Sequence, residues 1–121
     1  MNKINKKEII KDEAKFNDFL SLDIRIGTII EAEDFPKAKK PAYKLKIDFG
    51  ELGVKISSAQ ITKLYKKEDL IGKRIAAIVN FPKKQIANFF SECLVLGAVK
   101  DNGEVILLTA NEKCENGLPI G

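Results

Sequence analysis

Two short segments hold the side chains best placed to do chemistry. The first is Lys55-Ile56-Ser57-Ser58-Ala59-Gln60, where two hydroxyls and an amide follow a lysine. Lys55 and Ser57 fall on the same face of an extended chain, but a Ser–Lys nucleophile needs a buried, deprotonated lysine, and no other residue supports one. Ser58 reads equally as the N-cap of a following helix. The second segment runs from Asn80 to Glu92, NFPKKQIANFFSE. It sets Lys83 and Lys84 among Phe81, Phe89 and Phe90, with Asn80, Gln85, Ser91 and Glu92 as polar groups. Aromatic rings beside lysines can stack bases while the cations hold phosphate. Exposed phenylalanines can also accept apolar side chains of an unfolded polypeptide. The structural alternative is that Phe81 and one of Phe89 or Phe90 plug the end of a barrel.

The rest of the inventory moves the reading from catalysis to binding. The 121 residues contain no histidine, which excludes imidazole as base, relay or metal ligand. Cys93 and Cys114 are too far apart for a CxxC metal or redox site and too few for a disulfide scaffold, so reduced thiols in a cytoplasmic protein are expected. Cys93, in an apolar run, reads as a small buried hydrophobe. No cofactor or metal is implied. No apolar run approaches the ~20 residues of a membrane span, and the N-terminus lacks the apolar core of a secretory signal.

The charges are 21 basic against 17 acidic, and their distribution is uneven. Residues 36–84 carry +9, whereas residues 16–35 carry −4 and residues 85–121 carry −3. A concentrated positive segment attracts polyanions better than the same charge spread evenly. Only Arg25 and Arg74 offer a planar fork, so a bound nucleic acid would be held mainly by lysine on phosphate.

The elements that must position these residues follow from periodicity. Residues 1–15 are rich in Lys, Glu and Asp, and from Lys7 an amphipathic helix is expected to carry Ile9, Ile10, Phe16, Phe19 and Leu20, with fraying before it. Residues 23–33 form a β-branched strand in which Gly27 predicts a bulge or sharp bend. A Pro- and Lys-rich loop leads to residues 43–49, whose Tyr43, Leu45, Ile47 and Phe49 alternate with Lys44, Lys46 and Asp48. A third strand, VKISS, precedes one or two helical turns with Ile61, Leu64 and Tyr65 inward. RIAAIVNF and SECLVLGAV read as buried strands joined by a Pro-led loop. Asn102-Gly103 marks a two-residue hairpin turn before VILLT. The tail is loop-like, although Leu118 and Ile120 suit a packed surface better than solvent. Five short strands with a short helix between the third and fourth predict an all-β protein, a five-stranded OB-fold barrel.

DIRIGTI at 23–29, YKLKIDFGELG at 43–53, SSAQIT at 57–62 and NFPKKQIANFFSECLVLG at 80–97 resemble the tRNA-binding-domain family. The KPAYKLKIDFG and SSAQIT wording is similar to its CsaA branch, small proteins regarded as export-related chaperones. The resemblance covers residues 16–121 as one domain and leaves residues 1–15 as an extension. It implies a homodimer assembled through N- and C-terminal extensions, with no cofactor and no catalysis. The expected function is a non-enzymatic chaperone for unfolded or pre-secretory polypeptides with tRNA-binding capacity; the alternative is a free-standing accessory to tRNA metabolism. Binding residues are then expected at Lys55, Ser57, Ser58, Gln60 and Lys63, and at Asn80, Phe81, Lys83, Lys84, Gln85, Phe89, Phe90, Ser91 and Glu92.

One departure stands out. The family's loop Asn-Leu-Lys-Pro-Arg-Lys-Met-Arg-Gly becomes Asn80-Phe81-Pro82-Lys83-Lys84-Gln85-Ile86-Ala87-Asn88. Two positive charges are lost, which should flatten the salt dependence of polyanion binding by about one to two units of slope. Asn88 stands where glycine is usual and is expected to take the left-handed conformation.

Overall fold

The computed structural model describes residues 9–121, and its elements run α1 (Phe16–Leu20), β1 (Ile24–Asp34), β2 (Tyr43–Asp48), a 3-10 turn (Gly50–Leu52), β3 (Val54–Ala59), α2 (Lys67–Leu70), β4 (Arg74–Ile78), β5 (Lys84–Ile86), β6 (Phe89–Ser91), β7 (Leu94–Val95), β8 (Gly97–Val99) and β9 (Val105–Leu107). Strands β3-β2-β1-β4-β7 form one antiparallel sheet that curls nearly into a barrel. The expected OB-fold is the fold observed.

Strand β1 makes the curl possible. Its first half pairs with β4 and its second half with β2, so one long strand serves both sides of the barrel. Gly27 sits inside this strand without a bulge. A Cβ there would lie 2.6 Å from the Ile47 side chain and 2.7 Å from the Phe49 ring, so the glycine makes room for close packing. The register shift falls later, between Ile29 and Glu31, and turns Ile30 outward. The β2 alternation holds as expected: Tyr43, Leu45, Ile47 and Phe49 are buried and form the core with Ile29, Ile75 and Leu70.

Other expectations need correction. The N-terminal helix covers only Phe16–Leu20, with Ile9 and Ile10 outside it and exposed. Ile9 and Ile10 stay exposed, and a helix without tertiary contacts is marginal below ~12–15 residues. The expected start at Lys7 lies outside the described residues. Asp18 Oδ2 accepts from the Lys15 N–H at 3.2 Å and closes the one turn that forms. Ser58 caps no helix, because it belongs to β3. Leu64 faces solvent, while Leu70 of α2 is fully buried in the core. The apolar run 91–99 is not one strand. It divides into β7 and β8, which belong to different sheets, because Gly97 lets the chain turn across Val105; a Cβ would meet the Val105 side chain at 2.3 Å. Its hairpin to β9 carries three loop residues rather than two, with Lys100 N–H to Glu104 C=O at 2.8 Å and Gly103 at φ 85°.

The tail is ordered against β1. Gly117 N–H donates to Ile26 C=O at 2.7 Å, Ile26 N–H to Leu118 C=O at 3.0 Å, and Ile120 N–H to Ile24 C=O at 2.8 Å. Arg25 Nη1 donates to Gly117 C=O at 2.9 Å, so one of the two arginines pins the tail.

Candidate polypeptide and nucleic-acid interface

The barrel is closed by one main-chain bond and a set of side-chain bonds between β3 and residues 91–93. Ile56 of β3 turns its backbone away from β2: its C=O accepts from Glu92 N–H at 2.8 Å, and its N–H donates to Glu92 Oε1 at 2.9 Å. Ser57, fully buried, donates to Cys93 C=O at 2.8 Å and lies 3.2 Å from the Ser91 hydroxyl. Three expected binding residues, Ser57, Ser91 and Glu92, are therefore the clasp of the barrel. Burial pushes the Cys93 thiol up to about 11, which keeps it protonated and unreactive.

Beyond the clasp, β3 and β7 diverge and leave a cleft of about 610 Å³. Its floor is apolar, with Ile61, Val95 and Leu107; Phe81 and Ile86 form one wall, and Val99 and Val105 the other. Ser58, Gln60 and Lys84 supply polar groups, and Lys84 is the one charged side chain among the described lining residues.

The wall carrying Lys84 and Ile86 is a β-hairpin, β5–β6, where a loop was expected. Ile86 pairs with Phe89 across Ala87-Asn88, and Ala87, not Asn88, takes the positive φ, at 54°. A positive φ at the first central residue alone belongs to the II′ class of hairpin turns. Gln85 donates to Ala87 C=O at 3.0 Å and stabilises its own turn. Cross-strand partners share a face, so Lys84, Ile86, Phe89 and Ser91 point to the barrel while Gln85 and Phe90 point away. Phe89 plugs no barrel end. It packs edge-on against Phe35 of the β1–β2 loop, with ring centroids 5.4 Å apart, and Lys44 Nζ lies 5.7 Å from the Phe35 ring. Phe81 and Phe90 remain exposed.

The other expected residues have structural partners or stand apart. Asn80 accepts from Asp23 N–H and donates to Ser21 C=O, both at 2.8 Å, and so staples the α1–β1 link to the end of β4. Lys83 pairs with Glu92 at 3.7 Å. Lys63 donates to Asn102 C=O at 2.9 Å and lies beside the β8–β9 loop. In that loop the Asn102 amide and Lys100 hold the Glu104 carboxyl below its ordinary range. Lys55, half-buried on β3, lies outside the cleft lining.

Charge looks different in three dimensions. The acidic second half of β1 lies against the basic β2, pairing Lys46 with Glu31 at 3.2 Å and Lys44 with Glu33 at 3.9 Å. Asp34 meets Lys67 at 2.8 Å and raises the lysine's proton affinity. Three lysines of the basic segment are neutralised in this way. The lysines of the β1–β2 loop, Lys37, Lys39 and Lys40, are exposed and form no ion pair among the described residues. The sequence reading missed them as binding candidates. The only signal was their density in a Pro-flanked loop, since the loop's approach to β5–β6 through Phe35 and Phe89 is tertiary.

A small antiparallel barrel whose β1–β2 loop meets the connection between β4 and β7 is the OB class of ligand-binding fold. Residues 24–119 match the family described as "Putative tRNA binding domain". The chain belongs to this tRNA-binding-domain family, in its CsaA-type branch. It superposes on the chaperone CsaA of Bacillus anthracis strain Ames with a TM-score of 0.87 at 58% identity, over 90% of this chain and 99% of that one. The CsaA chaperone protein of Picrophilus torridus gives 0.84 at 57% identity, over 90% and 100%. Methionine–tRNA ligase of Methanocaldococcus jannaschii is 37% identical over 121 residues, 96% of this chain and 18% of the ligase. The chain thus spans less than a fifth of the curated relatives it matches.

Proposed function

We propose that this protein is a non-enzymatic CsaA-like chaperone that holds unfolded or pre-secretory polypeptides in the β3–β7 cleft and has a capacity to bind tRNA. The observation that carries the reading is the 610 Å³ apolar cleft with a lysine rim. The likeness to the CsaA chaperones of Bacillus anthracis and Picrophilus torridus, over nine-tenths of the chain, supports it. An apolar floor takes side chains by burial and without sequence selectivity, which suits a holder of unfolded chains.

The alternative, a tRNA-binding accessory protein, is favoured by the family match and by the lysines of the β1–β2 loop beside the β5–β6 hairpin. Lys84 belongs to both surfaces, so the two ligands are expected to compete. A homodimer is part of the proposal. Phe19, Leu20 and Ile120 line a second hollow of about 360 Å³, and Phe16 and Leu118 are exposed beside it. Among the described residues no helix is long and apolar enough to cross a membrane. A cytoplasmic site of action fits the reduced thiols.

The test is tRNA binding from about 50 to 200 mM salt with an unfolded secretory-type polypeptide as competitor. Polypeptide binding that tRNA displaces is the expected result. Steep salt-dependent RNA binding with no polypeptide binding would make the protein an RNA-binding accessory instead.

A further inference from the structure

The cleft is bordered by backbone as well as by side chains. Antiparallel pairing turns alternate residues of an edge strand outward. Because Ile56 faces away from β2, Ser58 does so too, and Gln60 follows directly after Ala59, the last residue of β3 paired with β2. Ser58 N–H reaches only the Ser91 hydroxyl, at 3.3 Å, and Gln60 forms no backbone hydrogen bond among the described residues. On the opposite side, Leu96 N–H donates to Ala76 C=O at 2.9 Å, and the β4–β7 register places Leu94 in the same phase. Val95 therefore turns its N–H and C=O away from β4, towards β3. Ser58, Gln60 and Val95 all line the cleft.

We infer that the cleft takes its polypeptide as an added β-strand: an extended segment pairs its main chain with the β3 edge at residues 58–60, seats alternate apolar side chains on the floor of Ile61 and Leu107, and sets a carboxylate against Lys84. The inference rests on the polypeptide-binding reading above and specifies its substrate class. Open strand edges are templates for another chain, and most native edges are covered or blunted. Here Glu92 covers the edge at Ile56 and the Ser91 hydroxyl takes the Ser58 N–H, so the open edge begins at the Ser58 C=O, where the Ser57 hydroxyl donates at 3.3 Å and one lone pair is left for an incoming strand. A period-two row of main-chain groups over an apolar floor matches an extended peptide and no arrangement of bases. Lys84, the one cation among the described lining residues, gives the segment its preferred charge.

The probe is a fluorescein-labelled nonapeptide alternating Val and Thr with one flanking Asp. Two versions carry backbone N-methyl groups on either the Val or the Thr nitrogens. At least one version is expected to bind about tenfold more weakly, as loss of one or two main-chain hydrogen bonds requires. On binding, the infrared band of a ¹³C-carbonyl label in the parent should move to the isotope-shifted strand position, below the protein's own sheet band. Exchanging Asp for Lys should weaken binding, and Lys84→Glu should reverse that preference. If the parent binds but both methylated versions match it, or the labelled band stays at its disordered position, strand addition is wrong while the polypeptide reading stands. If the parent and a denatured polypeptide both fail to bind, both readings fall together.

Discussion

Ala87 holds a left-handed φ of 54° at the tip of the hairpin that walls the cleft. That conformation costs a non-glycine residue about 1–2 kcal/mol, partly offset by glycine's greater entropy when unfolded. Ala87→Gly should therefore stabilise the protein by about 1 kcal/mol, read as a higher urea midpoint at unchanged slope. Cys93 gives a pH prediction. Its folded thiol, raised to about 11 by burial, holds its proton more tightly than an unfolded thiol near 9.0. Its stabilising contribution is then complete below pH 9.0 and is lost progressively as pH rises towards 11. Cys93→Ala should flatten the alkaline fall in stability. Cys114, only partly buried, should be the first thiol to react with a maleimide near neutral pH.

At the scale of elements, the clasp between β3 and residues 91–93 decides whether the sheet becomes a barrel. Glu92 contributes through its backbone N–H and its carboxylate together. Glu92→Ala leaves the Ile56 N–H without a partner and should cost about 1–3 kcal/mol in a denaturation series. Glu92→Gln keeps an acceptor and forfeits only the exposed pair with Lys83, so about 1 kcal/mol or less is expected. Equal losses in the two variants would show that the ion pair, and not the backbone contact, closes the barrel. The β5–β6 hairpin was illegible as strand for a related reason. Each strand has three residues, and the turn lacks the glycine that usually announces a II′ hairpin. The Phe35–Phe89 contact and the barrel beneath it supply what local propensity does not.

For the whole molecule, charge cancels across the β1–β2 ladder and survives on the loops. Lys37, Lys39 and Lys40 should then matter more to a polyanion than Lys44 and Lys46. The triple change Lys37→Glu/Lys39→Glu/Lys40→Glu should weaken tRNA binding and lower its salt slope by about two to three units. Lys44→Gln should alter the slope by less than about one unit, because that lysine already faces Glu33. A slope unchanged in the triple variant would move the RNA off the loop side of the barrel.

Periodicity and charge by themselves determined the β class, the inward row from Tyr43 to Phe49, the five-strand order and the absence of imidazole chemistry. These are local or compositional properties, and a two-residue repeat reports its buried face wherever the strand is placed. Which polar residues are structural was decided only by the tertiary structure. Ser57, Ser91, Glu92 and Asn80 read as ligand-binding groups in one dimension, yet each meets a backbone group 33 to 59 residues away. The same distance effect joined the acidic half of β1 to the basic β2 and brought the β1–β2 loop, through Phe35, against Phe89 of the β5–β6 hairpin. A sequence gives each side chain its chemistry, but whether that chemistry is spent inside the fold or left for a ligand depends on partners that only barrel closure brings near.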